Sequence, residues 1–485
     1  MRRLSVIDGI FLRTHQGMGT PIALQGLWRT ADPVDPARLD RLHNVLRVGP
    51  LGRRVIRSGV PGARDRWQPS VRSHPLDMVP APLPADRILP WADERGADLD
   101  PRHGPGWRLS AAPLTDGGTV VALTCSHVLA DARGLMIAVE DALGALEEKD
   151  TNSDHRPDSG NRSRSPRQGG DRTSDWADAA EIWTTVLAGT ARAARTRLRR
   201  PRELPRTRPG ESRPAQETSS GEVRGGPDSA TGHGPPDEGH GPPDEDEVRG
   251  TRGDGRAAGS GSGDQAGPHD GLPVPAIVLR CPGREWDRTA AASGGTANSL
   301  FIWFVANTLW AAGFPEHGIV ASLPVDTRDE PRIDNDLAMT EIVVSPGDGP
   351  GEIRAQSRAA YERRISSPGG LPEEFLHLVP DRIAYLLSRG AGERDILCSN
   401  IGTIPSRLHA LGPHDCTGVA TRAIHPGLTY ARRPRTRLSG YLCCFRGDYL
   451  LTLASLDPAR LPGVAELHRF AAVTAQRIGL PLLPW

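Results

Sequence analysis

The sequence is short of apolar side chains. Hydrophobic residues make up 37% and aromatic residues 5% of its 485 positions, and only when its 55 glycines are counted with them does the apolar share reach the roughly 45–50% of ordinary globular chains. The shortfall argues against one continuous packed core and predicts globular sequence diluted by a long disordered stretch. Neither charge sign is in excess: 59 Lys and Arg stand against 59 Asp and Glu. No overall field therefore draws the protein to nucleic acid or an acidic membrane, and any basic partner site must be local. Long apolar runs are missing as well. The longest, Leu300 to Trp310, is interrupted by Asn307 and Thr308 and is too short for a bilayer span, which takes about 20 residues. The six cysteines (Cys125, Cys281, Cys398, Cys416, Cys443, Cys444) have no CxxC spacing, and the opening MRRLSVIDGIFLRTHQ has no apolar signal-peptide region. Reduced, unpaired thiols in a cytosolic protein are expected. There is no GxGxxG, P-loop GKS/T or GxSxG segment, so nucleotide-binding and serine-hydrolase readings have no support.

Glycine (55) and proline (45) are abundant. They concentrate with Ser, Arg and Asp at about 148–175 and 201–272, where GHGPPDE occurs at 232–238 and again at 239–245. Such composition cannot bury enough apolar surface to offset ordering entropy. His233 and His240 of that repeat have no ordered surroundings to orient them, so no metal site is expected there. The chain reads as a subdomain over 1–147, a largely disordered linker over 148–272 containing a helix at about 176–200, and a second subdomain over 273–485. In the linker helix, Trp183, Val186, Leu187, Ala191 and Ala194 share one face and the end is basic, RTRLRR. Packing on the protein with a solvated basic end is the first expectation, and peripheral membrane contact the second.

Local patterns place the remaining elements. Pro36 to Leu46 has helical apolar spacing after a proline start, Thr119 to Thr124 is a β-rich run fitting a buried strand, and Gly134 to Leu143 continues as an amphipathic helix. Further on come a strand at Ala276 to Arg280, a helix at Asn298 to Ala312, a strand at Ile319 to Leu323 and a strand ending Cys398-Ser399-Asn400. A paired set from Leu438 to Leu453 and a final helix from Pro462 to Ile478 complete the chain. Strands and helices alternating in two halves predict an α/β protein of two subdomains.

Within this frame Ser126-His127-Val128-Leu129-Ala130-Asp131 sits on the bend between a buried strand and a helix. A histidine there is suited to general-base work, because its ordinary pKa near 6.5 leaves it largely neutral. One histidine among 15 is a weak signal, but the setting strengthens it. The segment resembles the HHxxxDG motif of the superfamily of chloramphenicol acetyltransferase, BAHD acyltransferases, nonribosomal-peptide condensation domains, polyketide-associated acyltransferases and bacterial wax ester synthase/diacylglycerol acyltransferases. Other segments are similar to the last family in the right order: LSVIDGIFL with nearby His15, GGTANSLFIWFVANTLW, LPVDTRDE followed by Asn335, and SNIGTIP. The likeness covers about 1–147, the Trp176 helix and 273–480.

The resemblance implies two chloramphenicol-acetyltransferase-like α/β subdomains around a central tunnel, with a long disordered insert. It also implies that His127 is the general base and that Asp131 turns from the substrate to pair with Arg328. Ser126, Ser399 and Asn400 become candidates for positioning substrate. The implied reaction moves an acyl group from acyl-CoA or a phosphopantetheinyl carrier protein to an alcohol or amine, with no metal and no bound cofactor, as in wax ester, triacylglycerol or natural-product ester formation. A catalytically silent protein that binds an acyl or carrier-protein partner is the alternative, because Ser126 replaces the first motif histidine and Ala132 the motif glycine. If the glycine position needs positive φ or close approach, alanine would be costly there. No DFGWG-like segment is present, and His425, in the nearest stretch, reads as a surface residue.

Overall fold

The computed structural model describes residues 2–18, 20–153, 174–199, 271–363, 374–388 and 393–485. The expected disorder at 154–173 and 201–270, with His233 and His240, lies outside the described residues.

Two sheets organise the chain. The first has six strands in the order Ala410–Leu411, His414–Ile424, Ala23–Thr30, Thr119–Ser126, Trp107–Pro113 and Asp77–Met78. Its central strand, Thr119–Ser126, is buried at every position, as an unbroken apolar run flanked on both edges requires. Helices Pro36–Val48 and Ala132–Ser153 pack on one another beside it. Asp35 caps the first of these, accepting from the Ala37 amide at 3.0 Å, and Pro36 takes the first helical position, where its missing N–H costs nothing. Leu39, Leu46, Leu109, Leu123 and Leu143 carry the shared core.

The second sheet has seven strands in the order Leu483–Pro484, Ala276–Cys281, Asp448–Ser455, Leu438–Phe445, Ile396–Thr403, Ile319–Asp326 and Leu337–Val344. Helix Ala297–Ala311 is buried nearly all round, with Phe301, Phe304 and Leu309 at 0% exposure, and packs against helix Val464–Arg477 and helix Pro350–Arg363.

The structure departs from a simple division at residue 273. Strands Ala410–Leu411 and His414–Ile424 come from the C-terminal part but pair in the first sheet, with Ala23 opposite Ile424. Residues 1–197 and 268–485 together form one compact unit. The linker also starts later than expected, because the helix that opens at Ala132 runs on to Ser153.

Helix Asp175–Arg199 buries Ala179, Ile182 and Val186, while Trp176, Trp183 and Leu187 stand 74%, 48% and 64% exposed. The single face read from the sequence is thus split: Val186 points in, Trp183 and Leu187 out. Asp175 and Asp178 fix the start of this helix. Asp178, 1% exposed, is held by Arg64 through its amide at 2.7 Å and its guanidinium at 2.6 and 3.0 Å, and Asp175 pairs with Arg3 at 2.7 Å.

Candidate active site

His127 follows the last residue of strand Thr119–Ser126, in the turn that leads to helix Ala132–Ser153. Its amide donates to Ile22 O at 3.4 Å. The ring of Phe11, on helix Val6–His15, lies on the imidazole with centroids 3.6 Å apart and planes 16° from parallel.

Asn335 determines the protonation of the ring. Its Nδ2 donates to the carbonyls of His127 at 2.8 Å and Val128 at 3.2 Å and to Asp8 Oδ1 at 2.8 Å. Carbonyls only accept, so the nitrogen side of the amide must face them. Oδ1 then faces His127 Nδ1 at 3.1 Å, and Nδ1 must carry the proton. Nε2 is left as the bare acceptor, and it has no hydrogen-bond partner among the described residues. Burial lowers the pKa of His127 from the usual histidine value, partly offset by a bond to its own backbone, then by the negative charge of Asp131 and the bond to Asn335. The ring is neutral and able to take a proton.

Asp8 sits in the first turn of its helix in a capping box with Ser5, Asp8 N donating to Ser5 Oγ at 3.0 Å and Ser5 N to Asp8 Oδ2 at 2.9 Å. Burial pushes its carboxyl up, against the bonds from Asn335 and Ser5 that hold it down. The LSVIDGIFL segment therefore supplies both the stack on His127 and a carboxylate that fixes Asn335.

Asp131 points away from His127. Its Oδ1 accepts from Arg328 Nη2 at 2.6 Å and from Gly134 N at 2.8 Å, and its Oδ2 accepts from Asp336 N at 3.1 Å. Arg328 also donates to Arg332 O at 2.9 Å and Asp326 Oδ1 at 2.8 Å. Next to this pair Asp334 accepts from Arg53 Nη1 at 2.5 Å, and the guanidinium of Arg53 lies 4.0 Å over the Trp67 ring. The loop 327–336 of the second sheet thus plugs into the first lobe through Arg328, Asp334, Asn335 and Asp336, with Ile333 joining the core there.

The backbone removes one of the two reasons for a glycine at Ala132, the need for positive φ. Ala132 opens the helix and is not among the positive-φ residues, so the backbone conformation does not call for glycine at this position. The close approach falls two residues later: a Cβ on Gly134 would lie 2.2 Å from Ile333 O.

Two sequence candidates take no part in these hydrogen bonds. Ser126 is 1% exposed on the strand, opposite Ala23, and its buried hydroxyl has no partner among the described residues. Asn400 is exposed, but its amide is committed, Nδ2 to Asn298 Oδ1 at 3.0 Å and Oδ1 to Gly402 N at 3.0 Å. On strand Ile396–Thr403 the neighbours of Ser399, Leu397 and Ile401, pack against the first core, whereas Cys398 belongs to the second. Alternation along the strand therefore turns Ser399 toward the first lobe and Asn400 toward the helix that carries Asn298. Strands Ile396–Thr403 and Ile319–Asp326 pair only at Ile396–Ala321 and Leu397–Ser322, so the ladder opens toward the end that bears Ser399 and the Arg328 loop.

His425 is not an ordinary surface residue. Its Nδ1 donates to Pro21 O at 2.9 Å, and Nε2 is buried without a partner. Ile424, Ala23 and Ser126 are level across three strands, which sets His425 and His127 at the same end of the first sheet. The cysteines offer no nucleophile here: burial pushes the Cys125 thiol up to about 12.

Solved structures share this architecture over the whole chain. The first condensation domain of the CDA synthetase matches at 14% identity with TM-score 0.52, covering 100% of this chain and 99% of that one. Polyketide synthase associated protein 5 from Mycobacterium tuberculosis matches at 12% with TM-score 0.52, covering 98% of each. The fold is that of the condensation domains. This two-lobed condensation fold is the one that holds His127 and Asn335 together. The wax ester synthase/diacylglycerol acyltransferase from Marinobacter aquaeolei VT8 aligns at 14% identity with TM-score 0.48 over 99% of this chain and 100% of that one. No protein-family model and no curated protein sequence matches the chain.

Proposed function

We propose that the protein transfers an acyl group from a thioester, carried on CoA or on the phosphopantetheine of a carrier protein, to an alcohol or amine. The observation that carries this reading is the bare Nε2 of His127 on a ring fixed by Asn335 and Phe11. A hydroxyl needs such a base most, because it is a poor nucleophile until its proton is accepted, so an alcohol is the favoured acceptor. Nε2 takes the acceptor's proton as its oxygen attacks the thioester carbonyl. The tetrahedral intermediate then collapses, the carbon–sulfur bond breaks, and the thiolate leaves as thiol with the proton from Nε2. The charge on the intermediate needs a donor, and the Ser399 hydroxyl, turned toward the first lobe, is the group we assign to it. Asp131 and Arg328 hold the loop and do not touch substrate.

The acceptor is met at a lipid surface. Trp176, Trp183 and Leu187 form an outward apolar stripe, and the sequence that follows is basic, the pairing that seats a helix in a membrane interface. No helix among the described residues is long and apolar enough to cross a membrane.

The test follows thiol release from acyl-CoA and acyl-carrier-protein donors with alcohol, diacylglycerol and amine acceptors. Acceptor-dependent release that falls about 10²- to 10⁴-fold in His127→Ala is expected. Equal release by the folded variant, or none from any donor, would overturn the reading.

A further inference from the structure

A cleft of about 550 Å³ lies between the start of helix Ala297–Ala311 and one face of helix Pro350–Arg363. Its floor is the helix N-terminus at Thr296, Asn298 and Ser299, and its wall is Arg354, Ser357, Arg358 and Tyr361. Thr296 and Ser299 cap each other, Ser299 N donating to Thr296 Oγ1 at 3.3 Å and Thr296 N to Ser299 Oγ at 2.7 Å. The amides of Ala297 and Asn298 have no acceptor among the described residues, so the positive end of the helix faces the cleft.

The side chains supply further donors. Ser357 is 4% exposed, and its buried hydroxyl lines the cleft without a hydrogen-bond partner. A buried polar group left unpaired is costly, and an oxygen ligand would satisfy it. The Tyr361 hydroxyl accepts from Asn298 Nδ2 at 3.1 Å, which leaves its own proton to give, and burial raises its pKa so that it keeps that proton. Arg358 is paired with Glu362, also at the cleft, at 3.3 Å. Arg354 has no carboxylate partner among the described residues. One carboxylate against two guanidiniums and a helix N-terminus leaves the cleft positive.

The cleft is tied to the candidate active site through Asn298, whose Oδ1 accepts from Asn400 Nδ2 at 3.0 Å. Asn400 stands beside Ser399 on the strand where the second sheet opens. We infer that this cleft binds a phosphate of the thioester donor, so that the donor's phosphate end is anchored on the helix side of the strand and its acyl end reaches the opening. The inference rests on the acyl-transfer reading, and both possible donors, CoA and a carrier protein's phosphopantetheine, carry the phosphate it requires.

The experiment titrates the full-length protein with CoA, 3′-dephospho-CoA, 4′-phosphopantetheine and pantetheine by calorimetry, in wild type, Arg354→Glu, Ser357→Ala and His127→Ala. Arg354 is exposed, so its variant folds, and circular dichroism checks this. We expect CoA binding about ten- to hundredfold weaker in Arg354→Glu, the scale of one charge-assisted hydrogen bond, with a smaller loss in Ser357→Ala and none in His127→Ala. Pantetheine should be insensitive to all three. Weakening with 3′-dephospho-CoA would assign the cleft to the CoA 3′-phosphate, and unchanged binding with 4′-phosphopantetheine to the phosphate that both donors share. Phosphate-containing ligands that bind wild type and Arg354→Glu equally would overturn the inference. Phosphate-dependent binding without any acyl transfer would sustain it while removing the proposed function, and His127-dependent transfer insensitive to Arg354 would do the reverse.

Discussion

Asn335 does two jobs with one amide, and its replacement separates them. Through Nδ2 it joins the His127–Val128 backbone to Asp8, and through Oδ1 it places the proton on His127 Nδ1. In Asn335→Ala the ring loses the bond that selects its tautomer, so a neutral imidazole can present a protonated Nε2 to the acceptor. We expect kcat to fall on the order of 10²-fold with KM little changed, the cost of a misplaced catalytic group. A purely structural role would not move the pH profile, whereas a tautomer role does. His127 must be neutral to act, and burial lowers its pKa, so kcat/KM should rise with pH through a midpoint below the ordinary 6.5 or so and be flat at neutral pH. The Asn335 bond favours the protonated ring, so the acid limb should move lower still in the variant. A midpoint above the ordinary value, or one that does not move, would refute this assignment.

At the scale of elements, the loop 327–336 and the helix that opens at Ala132 form the joint between the sheets. The Asp131–Arg328 pair is buried, with side chains 7% and 5% exposed, so removing one partner strands the other and should cost about 3–5 kcal/mol. The tightest point is Gly134 against Ile333 O. Gly134→Ala should lower stability by about 1–3 kcal/mol, because a backbone oxygen cannot turn aside as a side chain can. Ala132→Gly, which restores the motif residue, should neither speed transfer nor raise stability, since the helical backbone at 132 does not need it. Urea midpoints and initial rates of the two variants decide this, and a faster Ala132→Gly enzyme would mean that the alanine obstructs the site. Much of this joint was legible in the sequence. The buried strand before His127 and the helix after Asp131 follow from periodicity, and the pairing of Asp131 with Arg328 from the family likeness. The roles of Asp8, Phe11 and Asn335 were not legible: residue type does not say which way an amide faces, and the three meet only after chain segments more than 100 residues apart have packed. The crossing of His414–Ile424 into the first sheet was hidden for a similar reason, since strand pairing between distant segments leaves no local pattern.

For the whole molecule, the question is what meets the helix Asp175–Arg199. With 3.6 residues per turn, Trp176, Trp183 and Leu187 line one narrow stripe, while Ala179, Ile182 and Val186 lie about a quarter turn round and are buried. All six are apolar or small, which is why periodicity merged the two faces. The inner stripe, with Asp178 locked to Arg64, holds the helix to the protein, so the outer stripe is not there to complete the core. Gly62 packs under Trp183 and Leu378, and Ile383 and Leu386, on helix Asp381–Ser388, add exposures of 46% and 65%. Burying an apolar side chain of this size yields about 1.5–3 kcal/mol, so the three outer residues suffice for reversible binding when the basic run adds attraction to anionic headgroups. Co-sedimentation of the full-length protein should therefore be strong with vesicles of phosphatidylcholine and phosphatidylserine and weak with phosphatidylcholine alone. It should fall at least tenfold in the triple variant Trp176→Ala, Trp183→Ala, Leu187→Ser. The variant removes only outward side chains, so its circular dichroism and its transfer to short soluble alcohols should match wild type, while transfer to vesicle-borne diacylglycerol drops. If the triple variant sediments as wild type does, the stripe does not seat the protein on lipid and the acceptor is met in solution.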